Sequence, residues 1–227
     1  MVINVLKVTT VFNNSATQTY KATYISSDLL NELLPMISYV IIALNVLVFL
    51  LVQQNPHLMQ KGMLIPYRMV RQGSWYELIS SGFLHGGWTH LLFNMITLLF
   101  FGPVLERSIG EFHFFVLYSS GLLVSSLPSL LKHKNNPQYA TIGASGAVES
   151  VLFSFIVLFP FTPLYLMFIP IGIPAVLFGI LFVMYSIWAG RREGQINHEA
   201  HLAGAFWGVL YMLLFVPNTI DHILTIW

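Results

Sequence analysis

Thr141-Ile142-Gly143-Ala144-Ser145-Gly146-Ala147-Val148 opens an apolar run that continues to Phe159. It puts a lone hydroxyl between two glycines where a helix begins. Glycine lets the backbone come close to a neighbouring helix or a bound chain. The first N–H groups of a helix have no partner inside it and carry the positive end of its dipole. Negative charge that develops on an oxygen near Ser145 is stabilised there. From Ser145 to Phe159 the run is 15 residues. That is about 22 Å at ~1.5 Å per residue, short of a hydrocarbon core of ~30 Å. The serine is therefore expected below the membrane surface, at the bottom of a cavity.

Around this run, the 227-residue chain is 56% hydrophobic and only 8% charged, with a mean hydropathy of +0.73. Soluble domains are about one-quarter charged. The composition is that of an all-α polytopic membrane protein. Apolar stretches read as spans at 34–52, 85–104, 111–131, 145–159, 171–189 and 200–216. They define a six-helix membrane domain over residues 35–217, followed by a short C-terminal tail at 218–227. Residues 1–34 are expected outside the bilayer, with a strand near the start and an amphipathic helix from Ser27 to Leu34. They show no signal-peptide pattern. Residues 54–82 mix Lys61, Arg68, Arg71 and Glu77 with Met63, Trp75 and Tyr76, which predicts a long first loop lying in the interface. A net charge of +1 offers no electrostatic basis for a nucleic-acid partner. The absence of cysteine excludes disulfides, thiol catalysis and cysteine metal sites.

Polar groups inside spans are costly and tend to mark function. Ser145 has a plain alternative as a small residue packing helices. His201 heads the sixth span and shares a face with Gly204 and Gly208, at steps of three and four. Those glycines permit tight packing that brings imidazole to hydroxyl; the plain alternative is an interfacial loop contact. His90 and Asn94 are four residues apart, and can aim two donors at one atom as in an oxyanion hole. Their alternative is polar glue between helices. Glu149 lies one turn below Ser145, as an orienter of a base, a modifier of its basicity or a structural hydrogen-bond partner. In a six-helix topology the second, fourth and sixth spans run the same way. Nucleophile, base and oxyanion clamp then share one leaflet, as serine hydrolysis requires.

With these motifs in hand, the sequence resembles the rhomboid intramembrane serine proteases. The likeness rests on His85-x4-His90-x3-Asn94, Gly143-Ala144-Ser145-Gly146 and His201-x2-Gly204-x3-Gly208, supported by the Glu106-Arg107 turn with Gly110. It covers roughly residues 36–216. The resemblance implies a catalytic dyad, with Ser145 as nucleophile and His201 as general base. The oxyanion would be held by the Ser145 backbone N–H with His90 and Asn94. His85 would be structural or water-organising. Substrates would be single-span membrane proteins cut in or near the bilayer, with no metal or cofactor. The fifth span and the loop from Gly190 to Glu199 would form a gate. Two local departures stand out. Trp75 is followed by Tyr76 where the family often has Trp-Arg. Glu149 replaces the usual aromatic or apolar residue, so the ring that would pack under the histidine is missing from that position.

The expected location is the cell (inner) membrane of a bacterium, with the lipid bilayer as the surrounding partner. The family topology puts Lys7, Lys21 and Arg107 inside. It puts Lys61, Arg68, Arg71, Lys132, Lys134, Arg191 and Arg192 outside, opposite to the positive-inside rule. The motifs set which groups share a leaflet, not which compartment it faces. Oligomeric state has no signature in the sequence. Competing functions are a catalytically inactive rhomboid-like protein that binds transmembrane segments, a transporter and an intramembrane metalloprotease. The transporter reading lacks the repeated halves with broken helices. The metalloprotease reading lacks His-Glu-x-x-His, since His198 and His201 are three apart.

Overall fold

The computed structural model describes residues 5–12, 18–25, 36–165, 171–191 and 196–226. The chain divides into two compact units, up to Met36 and from Ile37 onward. In the first, β1 (Val5–Phe12) pairs antiparallel with β2 (Gln18–Ile25), in register from Val5↔Ile25 to Phe12↔Gln18. Threonine, valine and tyrosine suit these strands. The second strand was not expected, and the helix expected at 27–34 lies outside the described residues.

The second unit is helical. Its long elements are α1 (Met36–Gln54), α5 (Trp88–Ile109), α6 (Glu111–His133), α7 (Ser145–Leu158), α8 (Ala175–Ala189) and α9 (His198–Phe215). These are the six expected apolar stretches. Among the described residues α1, α5 and α6 are each long and apolar enough to cross a membrane, whereas α7 and α8 are shorter. The sequence-based boundaries need three corrections, the first being that the second helix runs on to Ile109, so Glu106 and Arg107 lie in its last turns and not in a turn after it. The second helix starts at Trp88 because Gly86-Gly87 interrupts the chain, so His85 precedes it. The fifth starts at Ala175, because β4 (Gly172–Pro174) pairs with β3 (Pro163–Tyr165). The expected C-terminal tail contains a helix, α10 (Thr219–Ile226), bent by 106° from α9. It is held where His222 Nε2 donates to Leu158 O at 2.8 Å.

The first loop has folded structure and a buried interior of its own. It contains α2 (His57–Gly62), α3 (Pro66–Gln72), α4 (Glu77–Ser80) and a 3-10 turn at Ser81–Phe83. Trp75 and Tyr76 are exposed, but Leu64, Met69 and Glu77 are buried. Glu77 accepts from Ile65 N at 2.8 Å and pairs with Arg68 Nε at 2.6 Å. Arg68 also donates to Gln60 O and Met63 O. An arginine from α3 thus ties this loop together, although no arginine follows Trp75.

Helix α7 sits at the centre of the second unit, and ten of its 14 residues are buried. Its closest neighbour is α9. A Cβ on Gly204 would fall 2.0 Å from Gly146 O, and one on Gly208 2.3 Å from Ser150 O. At these points one backbone lies directly on the other. Ser150 Oγ donates to Gly204 O at 2.9 Å, and Ser154 Oγ donates to Gly208 O at 3.0 Å. On another side, a Cβ on Gly146 would meet Ser125 of α6 at 2.2 Å. Helix α1 is fastened to α5 by Glu106, whose carboxylate accepts from Ile37 N, Ser38 N and Ser38 Oγ at 2.9, 2.9 and 2.7 Å.

Gly204→Ala is expected to destabilise the bundle by about 1–3 kcal/mol, the usual cost of forcing extra volume into a packed core. Gly87→Ala, where an added Cβ meets nothing within 4 Å, should leave stability unchanged. Equilibrium unfolding in mixed detergent micelles compares the two.

Candidate active site

Ser145 is the first residue of α7, and the first bond of that helix runs from Val148 N to Ala144 O at 3.0 Å. The N–H groups of Ser145, Gly146 and Ala147 therefore precede the helical ladder. The approach to Ser145 is pinned by the first loop. Leu64 and Thr141 exchange backbone hydrogen bonds at 3.0 and 2.9 Å, and Gly143 N donates to Ser81 O at 2.9 Å. Gly143 has φ +121°, and a Cβ there would lie 2.7 Å from His90 Cε1. Glycine is required at that point by both the backbone and the neighbouring ring.

His201 enters from the first turn of α9. Its Nε2 lies 2.8 Å from Ser145 Oγ. With the proton assigned to Nδ1, the hydroxyl donates to Nε2. Asn197 fixes the start of this helix. Its Oδ1 accepts from Ala200 N at 3.1 Å, an N-cap. Its Nδ2 donates to Ser129 Oγ at 2.8 Å and Tyr139 OH at 3.1 Å. One side chain thus joins the helix carrying His201 to α6 and to the segment leading to Ser145.

Ser145 and His201 line a cavity of about 770 Å³ together with His90, Asn94 and Glu149. His90 lies in the first turn of α5, and Asn94 follows one turn later. The Asn94 Nδ2 is buried with no hydrogen-bond partner, a donor available to another group. His85 is 2% exposed, and both its ring nitrogens are buried without a partner. Its ring meets His90 edge-on with centroids 4.9 Å apart. It therefore backs the His90 ring and does not line the cavity.

Two expectations about the neighbourhood of His201 change. Glu149 makes no hydrogen bond to His201; its Oε2 is buried and unpartnered. The missing ring comes from another helix, because Phe182 of α8 stacks on His201 with centroids 6.3 Å apart and planes 18° apart. Sequence reasoning did not single out Phe182, Asn197, Ser150 or Ser154. The Asn-x-x-Ala start of the sixth span carried a cap signal for Asn197. Nothing distinguished Phe182 from the other aromatics of an apolar helix.

With the geometry described, comparison with known proteins is informative. A rhomboid-domain family model matches residues 72–218. The chain belongs to the rhomboid family. This rhomboid is similar to the putative rhomboid protease YdcA of Bacillus subtilis, at 30% identity over 151 residues, covering 66% of this chain and 71% of that one. It is 34% identical over 186 residues to the mitochondrial rhomboid protein 1 of Saccharomyces cerevisiae, covering 76% and 51% respectively. The rhomboid protease GluP of Bacillus subtilis is 26% identical over 180 residues, covering 77% and 34%. The chain thus spans about half the length of the yeast relative and a third of GluP. The family and the apolar helices make it an integral membrane protein. Its relatives include mitochondrial as well as bacterial proteins, so the similarity does not carry the expected bacterial inner membrane.

Asn197→Ala should lower stability by about 1 kcal/mol, the usual worth of an N-cap. Asn197→Asp, which keeps the cap acceptor but not the Nδ2 donor, should recover most of that loss. Thermal unfolding of the detergent-solubilised protein measures both.

Proposed function

We propose that this rhomboid is an intramembrane serine endopeptidase that cleaves single-span membrane proteins in or near their transmembrane segment. The observation that carries the reading is the 2.8 Å approach of His201 Nε2 to Ser145 Oγ, at a cavity also lined by His90 and Asn94. The six long helices would each cross the bilayer. Helix α7, at about 21 Å for its 14 residues, would then begin below the surface. Its relatives named as proteases support the same reading.

In the proposed reaction Ser145 Oγ attacks the scissile carbonyl carbon while His201 Nε2 takes the hydroxyl proton. The carbonyl oxygen becomes an oxyanion beside the Ser145 N–H, the His90 ring and the Asn94 amide. Collapse breaks the C–N bond, and His201 returns the proton to the leaving amine. Water then attacks the acyl-enzyme, giving its proton to His201 and releasing the new carboxyl end as Ser145 regains its hydrogen. The burial of Asn94 Nδ2 without a partner supports its role, because the donor needs no rearrangement to meet developing charge.

A fluorophosphonate probe in detergent tests the dyad on wild type, Ser145→Ala and His201→Ala, with a chelator control. Labelling that needs both residues and survives the chelator is expected. No labelling of a folded wild type would favour a non-catalytic binder of transmembrane segments, and chelator-sensitive activity would point to a metalloprotease. Asn94→Ala is expected to lower kcat by about 10²–10³ with a smaller change in KM, read from cleavage of a model single-span substrate. A change confined to KM would remove Asn94 from the oxyanion site.

A further inference from the structure

One group lining the cavity has no part in the proposed hydrolysis. Glu149 follows Ser145 by one turn of α7, about 6 Å along the helix axis at ~1.5 Å per residue, and lines the same cavity. Its Oε2 is buried and has no hydrogen-bond partner. Protein interiors pair nearly all buried polar atoms, and an exception calls for an explanation. No hydrogen bond joins Glu149 Oε2 to the other polar groups of the cavity, the unpartnered Asn94 Nδ2 included. His201 directs its Nε2 to Ser145, and its ring face is covered by Phe182. Among the described residues the ion pairs are Arg68–Glu77 and Lys132–Glu199, so neither serves Glu149. The hydroxyl of Thr97, which lines the cavity, donates to Phe93 O instead.

An acceptor thus stands one turn from Ser145 in a wall that also contains Phe93, Ile142 and Val148. Those apolar neighbours suit a methylene stem, and the distance of a helical turn calls for a long side chain. We propose that Glu149 is a specificity-determining residue whose carboxyl group accepts a hydrogen bond from a glutamine or lysine side chain of the substrate, entering the cavity next to the bond that is cut. Alanine, serine and other short side chains do not reach it. The inference rests on the serine-protease reading of the site. It concerns which segment is accepted, not how the bond is broken.

A panel of single-span model substrates tests this. The members differ only at the four positions around the cleavage site, each of which carries Gln, Lys or Met in turn. At one of these positions the wild type is expected to cleave the Gln and Lys forms with a kcat/KM about tenfold or more above the Met form. Sites built to hydrogen-bond a substrate group discriminate at least that strongly against analogues lacking it. Glu149→Leu should abolish or invert that ratio. Glu149→Gln, which keeps volume and one acceptor, should lose the advantage of Lys and keep that of Gln. A wild type with no such preference, or a Glu149→Leu variant that retains it, overturns the proposal. The same panel is photocrosslinked to Ser145→Ala, where no cleavage is needed. Glu149-dependent capture of the Gln and Lys forms supports the proposal there, and equal capture of all three overturns it. Failure of cleavage by wild type with Glu149-dependent capture intact would count against the protease reading alone.

Discussion

The geometry of the site depends on the contact between α7 and α9. Gly204 and Gly208 lie so close to Gly146 O and Ser150 O that no side chain fits between the backbones. Lipid offers little hydrophobic drive for helices to associate, so close van der Waals contact and cross-helix hydrogen bonds must do it. Ser150 and Ser154 supply two such bonds to the carbonyls of the opposing glycines. Interhelical side-chain hydrogen bonds in membranes are worth about 0.6–2 kcal/mol each. Together the two bonds define a register as well as a distance. That register brings His201 to Ser145 at the head of the two helices. Asn197 and the Leu64–Thr141 bridge then fix the two chain segments that enter the contact.

Much of this was legible in the sequence because the bilayer simplifies the reading. Apolar runs marked the six long helices, and Gly-x-x-x-Gly spacing identified the α9 face that meets α7. Polar residues within apolar runs were few enough to pick out Ser145, His201, His90, Asn94 and Glu149, which the structure brings to one cavity. His85 was misplaced within its helix because apolarity does not register a Gly-Gly break. The first loop was read from its surface aromatics. Its burial depends on the Arg68–Glu77 pair, whose members are nine residues apart and carry no local signal. Phe182 was invisible for a different reason. It belongs to a helix in which nearly every residue is apolar, and only the third dimension tells which ring meets His201.

That ring also links α8 to His201. Phe182 contacts Phe153 of α7 as well as His201, and Gly179 lets α8 approach Ile156 and Phe153 closely. An outward shift of α8 would uncover one face of the imidazole while leaving the α7–α9 contact intact. The position of α8 therefore bears on how His201 is held, independently of how it meets Ser145.

The clasp between Glu106 and the start of α1 has a consequence for biogenesis. The carboxylate that receives Ile37 N and Ser38 N lies 69 and 68 residues further along the chain. At a synthesis rate of about 5–20 residues per second, it follows the first helix out of the ribosome by roughly 3–14 s. During that interval the opening turn of α1 must find other acceptors, and water or lipid headgroups at the bilayer surface are the ones within reach. The clasp thus closes between two segments that enter the membrane at different times, and it rewards only the pairing in which both have stopped at matching depths.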